Sequence, residues 1–300
     1  MIKKQLAIVV LNYNTRDLLD GCLTSLKALV NELLFEVIVV DNGSTDDSVE
    51  MVKEKYRWVK LLETGGNLGF ARGNNAARKV IKNDYILFLN SDTLVGRGVL
   101  VKCLKYLKDN NLGALTCKLL LEDGSLDPDC RRSFITPWIG LSHLFLKLDR
   151  IFPRSKLFAK YWYGYLSQDL IHEVNAIQGA FFLTSKTVLD EVGWFDEDYF
   201  LDGEDIDLSW KIKSHGYKIV YYPEASITHL KGATKGKNRK DKKYISFQDK
   251  LKYRLSGVNS MEIFYRKRLW NNYPTYLNYL VIFGIKFLKL IRTVKILIFK

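Results

Sequence analysis

The chain has 300 residues, 47% of them hydrophobic and 26% charged, values of an ordinary globular protein that exclude extended disorder and leave room for one sizeable α/β domain plus an appendage. Its net charge of +13 is segregated: residues 231–300 hold 18 Lys/Arg against 3 Asp/Glu, whereas residues 1–230 hold 28 against 30. One end of the molecule is therefore built to meet an anionic surface or ligand. Cys22, Cys103, Cys117 and Cys130 show neither Cys-x-x-Cys spacing nor a disulfide framework, and read as buried thiols of a reducing compartment. Met1-Ile2-Lys3-Lys4 leads directly into a strand pattern, without the long apolar stretch and small-residue cleavage site of a signal peptide.

Residues 6–11 form a short continuous apolar run, the pattern of a strand buried on both faces, and Asn12-Tyr13-Asn14-Thr15 stops it. Residues 17–29 carry helical spacing. A second buried run, 35–40, ends at the turn-forming Asp41-Asn42-Gly43-Ser44. Residues 46–56 are helical again and 59–63 strand-like. The glycine-rich Gly65-Gly66-Asn67-Leu68-Gly69 precedes a helix over 71–82, and a strand over 85–89 is stopped by Asn90-Ser91-Asp92-Thr93. Strand–helix alternation four times over predicts an open, mostly parallel, Rossmann-like sheet with flanking helices. Each polar cluster follows a strand, so 12–15, 41–44, 67–75 and 90–93 converge on one rim, where ligands bind in such sheets.

Beyond this, 99–108 reads as a helix, 113–121 as a strand and Glu122-Asp123-Gly124 as a turn. Residues 134–172 are rich in aromatics, which suit either a hydrophobic insertion packed on the core or a wall on which sugar rings stack. A strand over 218–222 is followed by a turn at Pro223-Glu224-Ala225 and then His229. The Lys/Gly-rich stretch 231–240 suits a loop able to close over a bound anion, or a merely solvated one. After Pro274 the pattern is one long helix, with Leu280, Phe283, Phe287, Leu290, Ile291, Val294, Leu297 and Ile298 on one face and Lys286, Lys289, Arg292 and Lys295 on the other. Charges recur too often for a membrane span. The helix suits an anionic membrane interface, or docking on its own domain or on a second copy in a homodimer.

The ordered set Val9-Val10-Leu11-Asn12-Tyr13-Asn14, Asp41-Asn42-Gly43-Ser44, Asn67-Leu68-Gly69-Phe70-Ala71-Arg72-Gly73-Asn74-Asn75, Leu89-Asn90-Ser91-Asp92-Thr93, Gly179-Ala180, Gly193-Trp194-Phe195-Asp196-Glu197, Gly203-Glu204-Asp205-Ile206-Asp207-Leu208 and Tyr222-Pro223-Glu224-Ala225 before His229 resembles the family 2 glycosyltransferases, which have the GT-A fold. Within them it looks like the bacterial rhamnosyltransferase branch. The resemblance implies a catalytic domain over 1–230, with a nucleotide-binding half at about 1–95 and an acceptor-binding half at about 96–230. Residues 231–300 then supply the basic loop and amphipathic, membrane-associating helices.

The activity so implied is inverting, metal-assisted transfer of a sugar, plausibly rhamnose, from a dTDP- or UDP-sugar donor to a hydroxyl of a lipid-linked saccharide. The place of action is cytoplasmic, peripheral at the inner face of the cell membrane. By the same resemblance Asn12, Asn14, Asp41, Asn67, Arg72, Asn90, Ser91 and Gly179 contact the nucleotide sugar. Asp41 suits a plain turn as well as a base or ribose contact, and Arg72 a solvent-facing helix position as well as a diphosphate contact. Asn90-Ser91-Asp92 stands where the family has its Asp-x-Asp metal motif, with Asn90 in place of the first carboxylate. Asp92 and, by position, His229 are the candidate ligands for Mg²⁺ or Mn²⁺.

Asp205 is the candidate base that takes the acceptor's proton, with Glu204 orienting it or binding the acceptor. The carboxylates crowded around them should raise at least one proton affinity. Asp207 reads as a structural partner of the helix N-terminus. A sugar nucleotidyltransferase would need a basic glycine-rich loop directly after the first strand, where Asn12-Tyr13-Asn14 stands instead. A nucleic-acid-binding protein would interleave its basic charge with exposed aromatics on a recognition module; here that charge sits in a loop and an amphipathic helix, so no nucleic-acid partner is expected.

Overall fold

The computed structural model describes residues 5–231 and 247–298. Four apolar runs become the parallel strands β1 (Leu6–Asn12), β2 (Phe35–Asp41), β3 (Lys60–Glu63) and β4 (Tyr85–Asn90), with β1 paired to β2 and β4, and β2 to β3. Ile8, Val9, Val37, Val39, Ile86 and Phe88 are fully buried, because helices cover both faces of such a sheet. These helices are α1 (Arg16–Lys27), α2 (Ser48–Lys55) and α3 (Phe70–Ala76). The stops at Asn12, Asp41 and Asn90 come in register, Asn12 opposite Asp41 and Leu11 opposite Asn90, and the fourth polar cluster joins them where Asn42 donates to Asn67 Oδ1 at 3.1 Å.

The second half adds β5 (Thr93–Val95), α4 (Val99–Asp109), β6 (Ala114–Leu120), β7 (His172–Glu173), β8 (Phe181–Ser185), α5 (Lys186–Val192), α6 (Glu204–Ser214) and β9 (Ile219–His229). The sheet order is β3-β2-β1-β4-β8-β6-β9-β5, with β7 on the flank of β9. The alternation of strand and helix that makes the first half parallel lapses here, and β8 enters antiparallel to both β4 and β6. The result is an α/β fold on an open sheet.

One local expectation is corrected. Pro223-Glu224-Ala225 is no turn: β9 continues through it to His229. Cys117 pairs with Tyr222 and Lys118 with Ser226, so three residues of β9 are absorbed as a bulge, the element that accommodates a proline inside a sheet.

The C-terminal segment forms α7 (Phe247–Phe264) and α8 (Thr275–Ile298); the basic stretch 232–246 lies outside the described residues. A second apolar core of Phe134, Tyr199, Val258, Phe264, Tyr265 and Ile282 binds both helices to the second half of the sheet domain. Asn278, Ile282, Ile285 and Ile296 make the inward face of α8, while Phe283, Phe287 and Leu290 on the other side are exposed. The helix therefore docks on its own domain, one of the readings open in the sequence, and also presents an apolar face outward. Among the described residues no helix is long and apolar enough to cross a membrane.

Charge pins the same segment. Arg268 donates to both carboxylate oxygens of Asp207, at 2.7 and 3.1 Å, and Asp207 is fully buried. Lys267 bridges Asp196 and Asp198 at 2.7 and 2.5 Å. Replacing Arg268 by Ala strands a buried carboxylate on the Tyr199 hydroxyl, a change of the kind that costs about 3 kcal/mol. The expected outcome is a matching fall in unfolding free energy by urea titration; an unchanged midpoint would show that Asp207 does not need its cation.

Candidate active site

Two clusters form along the rim. The first follows from strand pairing. Thr93 of β5 lies opposite His229 of β9, and Leu230 N–H donates to the Asp92 carbonyl at 2.8 Å. Asp92 and His229, 137 positions apart in sequence, are thereby neighbours: Nε2 stands 3.3 Å from Asp92 Oδ1, a charge contact without the alignment of a hydrogen bond. On its other side His229 Nδ1 is hydrogen-bonded to Asp127 Oδ2 at 2.8 Å. Asp127 is fully buried, and Lys231 donates to its Oδ1 at 2.7 Å and to Asp129 at 2.6 Å.

Burial alone would lower the imidazole pKa. The hydrogen bond to Asp127 and the adjacent Asp92 more than offset it and raise His229 to about 9. Burial likewise opposes charge on Asp127, yet His229 and Lys231 hold its carboxyl down at about 2.

The same geometry suits a divalent ion. Asp92 Oδ1 is buried with no hydrogen-bond partner among the described residues. It faces an imidazole nitrogen whose opposite nitrogen is fixed by a carboxylate, the arrangement that orients metal-binding histidines. No group of three or more His, Cys, Asp or Glu able to hold a metal occurs among the described residues. Among the described residues, Asp92 and His229 are the two donors that such a site would have from the protein.

The second cluster surrounds Asp205 at the start of α6. Arg132 donates to Asp205 Oδ2 at 2.6 Å and Gly179 N–H to the same oxygen at 3.1 Å, while Oδ1 receives Ile206 N–H at 2.7 Å. Both Arg132 and Asp205 are buried. Glu204 beside it is buried with Oε2 unpartnered among the described residues. Desolvation, then the charges of Asp205 and Asp202, push its carboxyl well above the ordinary range, so the crowding expected from the sequence falls on Glu204.

The other candidates hold loops. Asn12 Nδ2 donates to Asp41 Oδ2 and Ser44 Oγ, both at 3.0 Å, and Asn12 Oδ1 accepts from Thr15, whose hydroxyl meets Ser91 at 2.9 Å. Asp41 Oδ1 accepts Gly43 and Ser44 N–H, leaving roughly one of the four lone-pair sites of a carboxylate for a ligand. Asn14 Oδ1 pins Thr45. Asn67 Oδ1 accepts from Asn42 and Gly69 while its Nδ2 donates to the Tyr253 hydroxyl of α7 at 3.0 Å. Arg72 is over half exposed, 3.5 Å from Glu197. Asn90 sits at the end of β4, its carbonyl accepting from Thr93.

Gly179 stands at Asp205, with Phe70 against its α-carbon. At Gly69, with φ +83°, a side chain would collide with the Phe200 carbonyl, and Phe70 N–H donates to that carbonyl at 2.7 Å, so the glycine-rich loop is stitched to the acidic segment before Asp205.

Arg132, Asp127 and Tyr253 escaped the sequence reading. A signal did exist for Arg132: Arg131-Arg132 is the chain's only adjacent arginine pair, and buried carboxylates demand a cation.

The glycosyl transferase family 2 profile matches residues 7–193. The chain belongs to that family. It is similar to the N-acetylglucosaminyl-diphospho-decaprenol L-rhamnosyltransferase of Mycobacterium tuberculosis, 28% identical over 245 residues and 78% of each chain. It is also 30% identical over 230 residues to the poly-beta-1,6-N-acetyl-D-glucosamine synthase of Staphylococcus aureus, covering 75% of this chain and 49% of that one. Among solved structures it resembles GalNAc-T7 with UDP, GalNAc and Mn²⁺ (TM-score 0.55, 15% identity, 75% of this chain and 43% of that). S. aureus TarS 1–349 in complex with UDP is similar too (0.51, 17%, 86% and 64%). The chain thus spans about half the length of the synthase and of GalNAc-T7. These likenesses show a GT-A fold, and the family makes the protein a glycosyltransferase.

The His229 arrangement carries its own test. With the ring's pKa raised in the fold, its charge stabilises fully below the unfolded value of 6.5, and that contribution is lost as pH rises through about 9. In metal-free protein, Asp127→Asn should move the His229 titration, followed by NMR, down from about 9 and flatten the decline of stability over that window. An unmoved titration would show that Asp127 does not sustain the charge.

Proposed function

We propose that the enzyme transfers rhamnose from dTDP-rhamnose to a hydroxyl of a lipid-linked saccharide, with inversion, in cell-wall or surface-polysaccharide assembly. The observation that carries this reading is that a braced carboxylate, Asp205, takes Gly179 N–H, while the carbonyl of the adjacent Ala180 takes the N–H of Asn90, two residues before Asp92 of the Asp92–His229–Asp127 row. The mycobacterial relative, named for moving L-rhamnose to N-acetylglucosaminyl-diphospho-decaprenol and matching 78% of both chains, supports the choice of donor and acceptor.

In this reading residues 1–95 bind the nucleotide through Asn12, Asn14, Asp41, Asn67 and Arg72, with Asn90, Ser91 and Gly179 toward the sugar. Residues 96–230 bind the acceptor. Asp92 Oδ1 and His229 Nε2 would hold Mg²⁺ or Mn²⁺, the donor diphosphate and water completing its sphere; when bound, the ion supplies positive charge where the diphosphate departs. The acceptor oxygen attacks the anomeric carbon as the bond to phosphate breaks, and the acceptor's proton passes to Asp205. Arg132 and Gly179 N–H engage Oδ2 and fix the carboxylate's orientation, the positioning that makes proton transfer effective. Glu204, whose proton affinity burial raises, stands beside Asp205 to engage an acceptor hydroxyl. The basic segment 231–300 keeps the enzyme peripheral at the inner, cytoplasmic membrane face.

Asp205→Asn should lower turnover by about 10²–10⁴-fold, the usual contribution of a general base, with donor binding retained by calorimetry. Full turnover would remove Asp205 from that role. A donor panel with Mg²⁺ and Mn²⁺ should favour dTDP-rhamnose; preference for a UDP-sugar would overturn the donor assignment and leave the transferase standing.

A further inference from the structure

We propose that the aromatic insertion at 137–157 and the outward face of α8 form a single two-part platform that lies on an anionic lipid surface. This deepens, and rests on, the lipid-linked acceptor reading above, because it makes the acceptor half of the fold a membrane-contacting element alongside the C-terminal helix.

Three observations carry it. First, both parts expose large apolar side chains at a density a soluble surface rarely shows. On α8, Leu280, Phe283, Leu290 and Ile298 are exposed, Phe283 at 70%. The i, i+3, i+7 spacing of Leu280, Phe283, Phe287 and Leu290 puts them on one stripe, opposite the inward Ile282, Ile285 and Ile296. On the insertion Leu146, Ile151 and Phe152 are exposed, Ile151 at 66%.

Second, the two parts touch. A side chain at Gly284 of α8 would stand 3.3 Å from Phe145 Cζ of the insertion, so that glycine lets Phe145 lie against the helix and join the two apolar surfaces. Both parts are also anchored at their roots, since Phe134, just before the insertion, packs with Phe264 of α7, 5.9 Å between ring centroids. The insertion leaves the fold five residues after Arg132, which holds Asp205. A saccharide presented at the platform is thus close in the chain to the proposed base.

Third, the charge has one sign. Lys147, Arg150, Arg154 and Lys156 on the insertion, and Lys286, Lys289, Arg292 and Lys295 on α8, are all exposed. Residues 275–298 contain no acid, and 137–157 contain only Asp149, which is bonded to His143 at 2.9 Å. Apolar side chains bordered by cations match anionic headgroups over acyl chains. A second copy of the chain would set like charges against each other.

The test is flotation of the full chain with vesicles of phosphatidylcholine, with and without phosphatidylglycerol, at low and high salt. Wild type should float with the anionic vesicles and lose most of that binding in salt. Leu146→Glu/Ile151→Glu on the insertion and Phe283→Glu/Leu290→Glu on α8 should each lower partitioning by at least about tenfold, the effect of withdrawing two apolar side chains from lipid. Their thermal melts and vesicle-free donor hydrolysis should match wild type. Should a pair melt early, Lys147→Glu/Arg150→Glu and Lys286→Glu/Lys289→Glu probe the same two parts through charge.

Full binding by the insertion variants overturns the two-part platform. So does equal binding to neutral vesicles, or wild type that self-associates in sedimentation without binding any vesicle. Wild type that binds no vesicle yet glycosylates a detergent-solubilised lipid-linked acceptor overturns the platform and spares the functional reading. Vesicle binding with no transfer to such an acceptor does the reverse.

Discussion

Arg132 and Asp205 are 73 positions apart in sequence and 2.6 Å apart in space, both buried. A carboxylate withdrawn from water must meet a cation or give up its charge, and this rim withdraws several. Asp205 meets Arg132, Asp127 meets His229 and Lys231, and Asp207 meets Arg268. Glu204 meets no cation through a hydrogen bond among the described residues and is the carboxyl whose proton affinity climbs. Each pairing joins elements far apart in the chain, so satisfying the acids of the rim also closes the tertiary structure around it. The free energy that locates the chemistry is therefore part of the free energy that holds the domain.

What was legible in the sequence was whatever is periodic or local. Residues 6–11, 35–40 and 85–89 announce buried strands through unbroken apolar runs, and the clusters that stop them share a rim because parallel strands end in register. Glu204-Asp205 at a helix start and Asp92 at a strand end were readable from position within an ordered motif set. The antiparallel entry of β8 was not readable, nor was the β5–β9 pairing that sets Asp92 beside His229, because pairing partners leave no local trace. Asp127 and Arg132 sit in a stretch without periodicity, and their importance arises only from what they touch. The long helix after Pro274 was recognised, but a stripe pattern does not say which of two apolar faces will be covered.

The C-terminal segment enters the rim at both ends. Tyr253 of α7 meets Asn67 of the glycine-rich loop, and Lys267 and Arg268 grip Asp196, Asp198 and Asp207 around the start of α6. Phe70 N–H bonded to the Phe200 carbonyl closes the ring from the other side. The glycine-rich loop, the acidic segment and the terminal helices therefore make up one mechanical unit, in which displacement of any one strains hydrogen bonds in the other two.

The three residues absorbed between Tyr222 and Ser226 give β9 a reserve of slack. Upstream of it the strand is set by its ladder to β6; downstream, Ile227 and Thr228 are gripped by both β6 and β5, and His229 by β5. In an unbroken strand, one residue gained or lost would turn every later side chain to the opposite face. Here a length change at 223–225 can be taken up where the chain already bows away from its neighbour, and the parity that aims His229 at Asp92 survives. The bulge works as an expansion joint that separates the register of the strand before it from the aim of the imidazole after it.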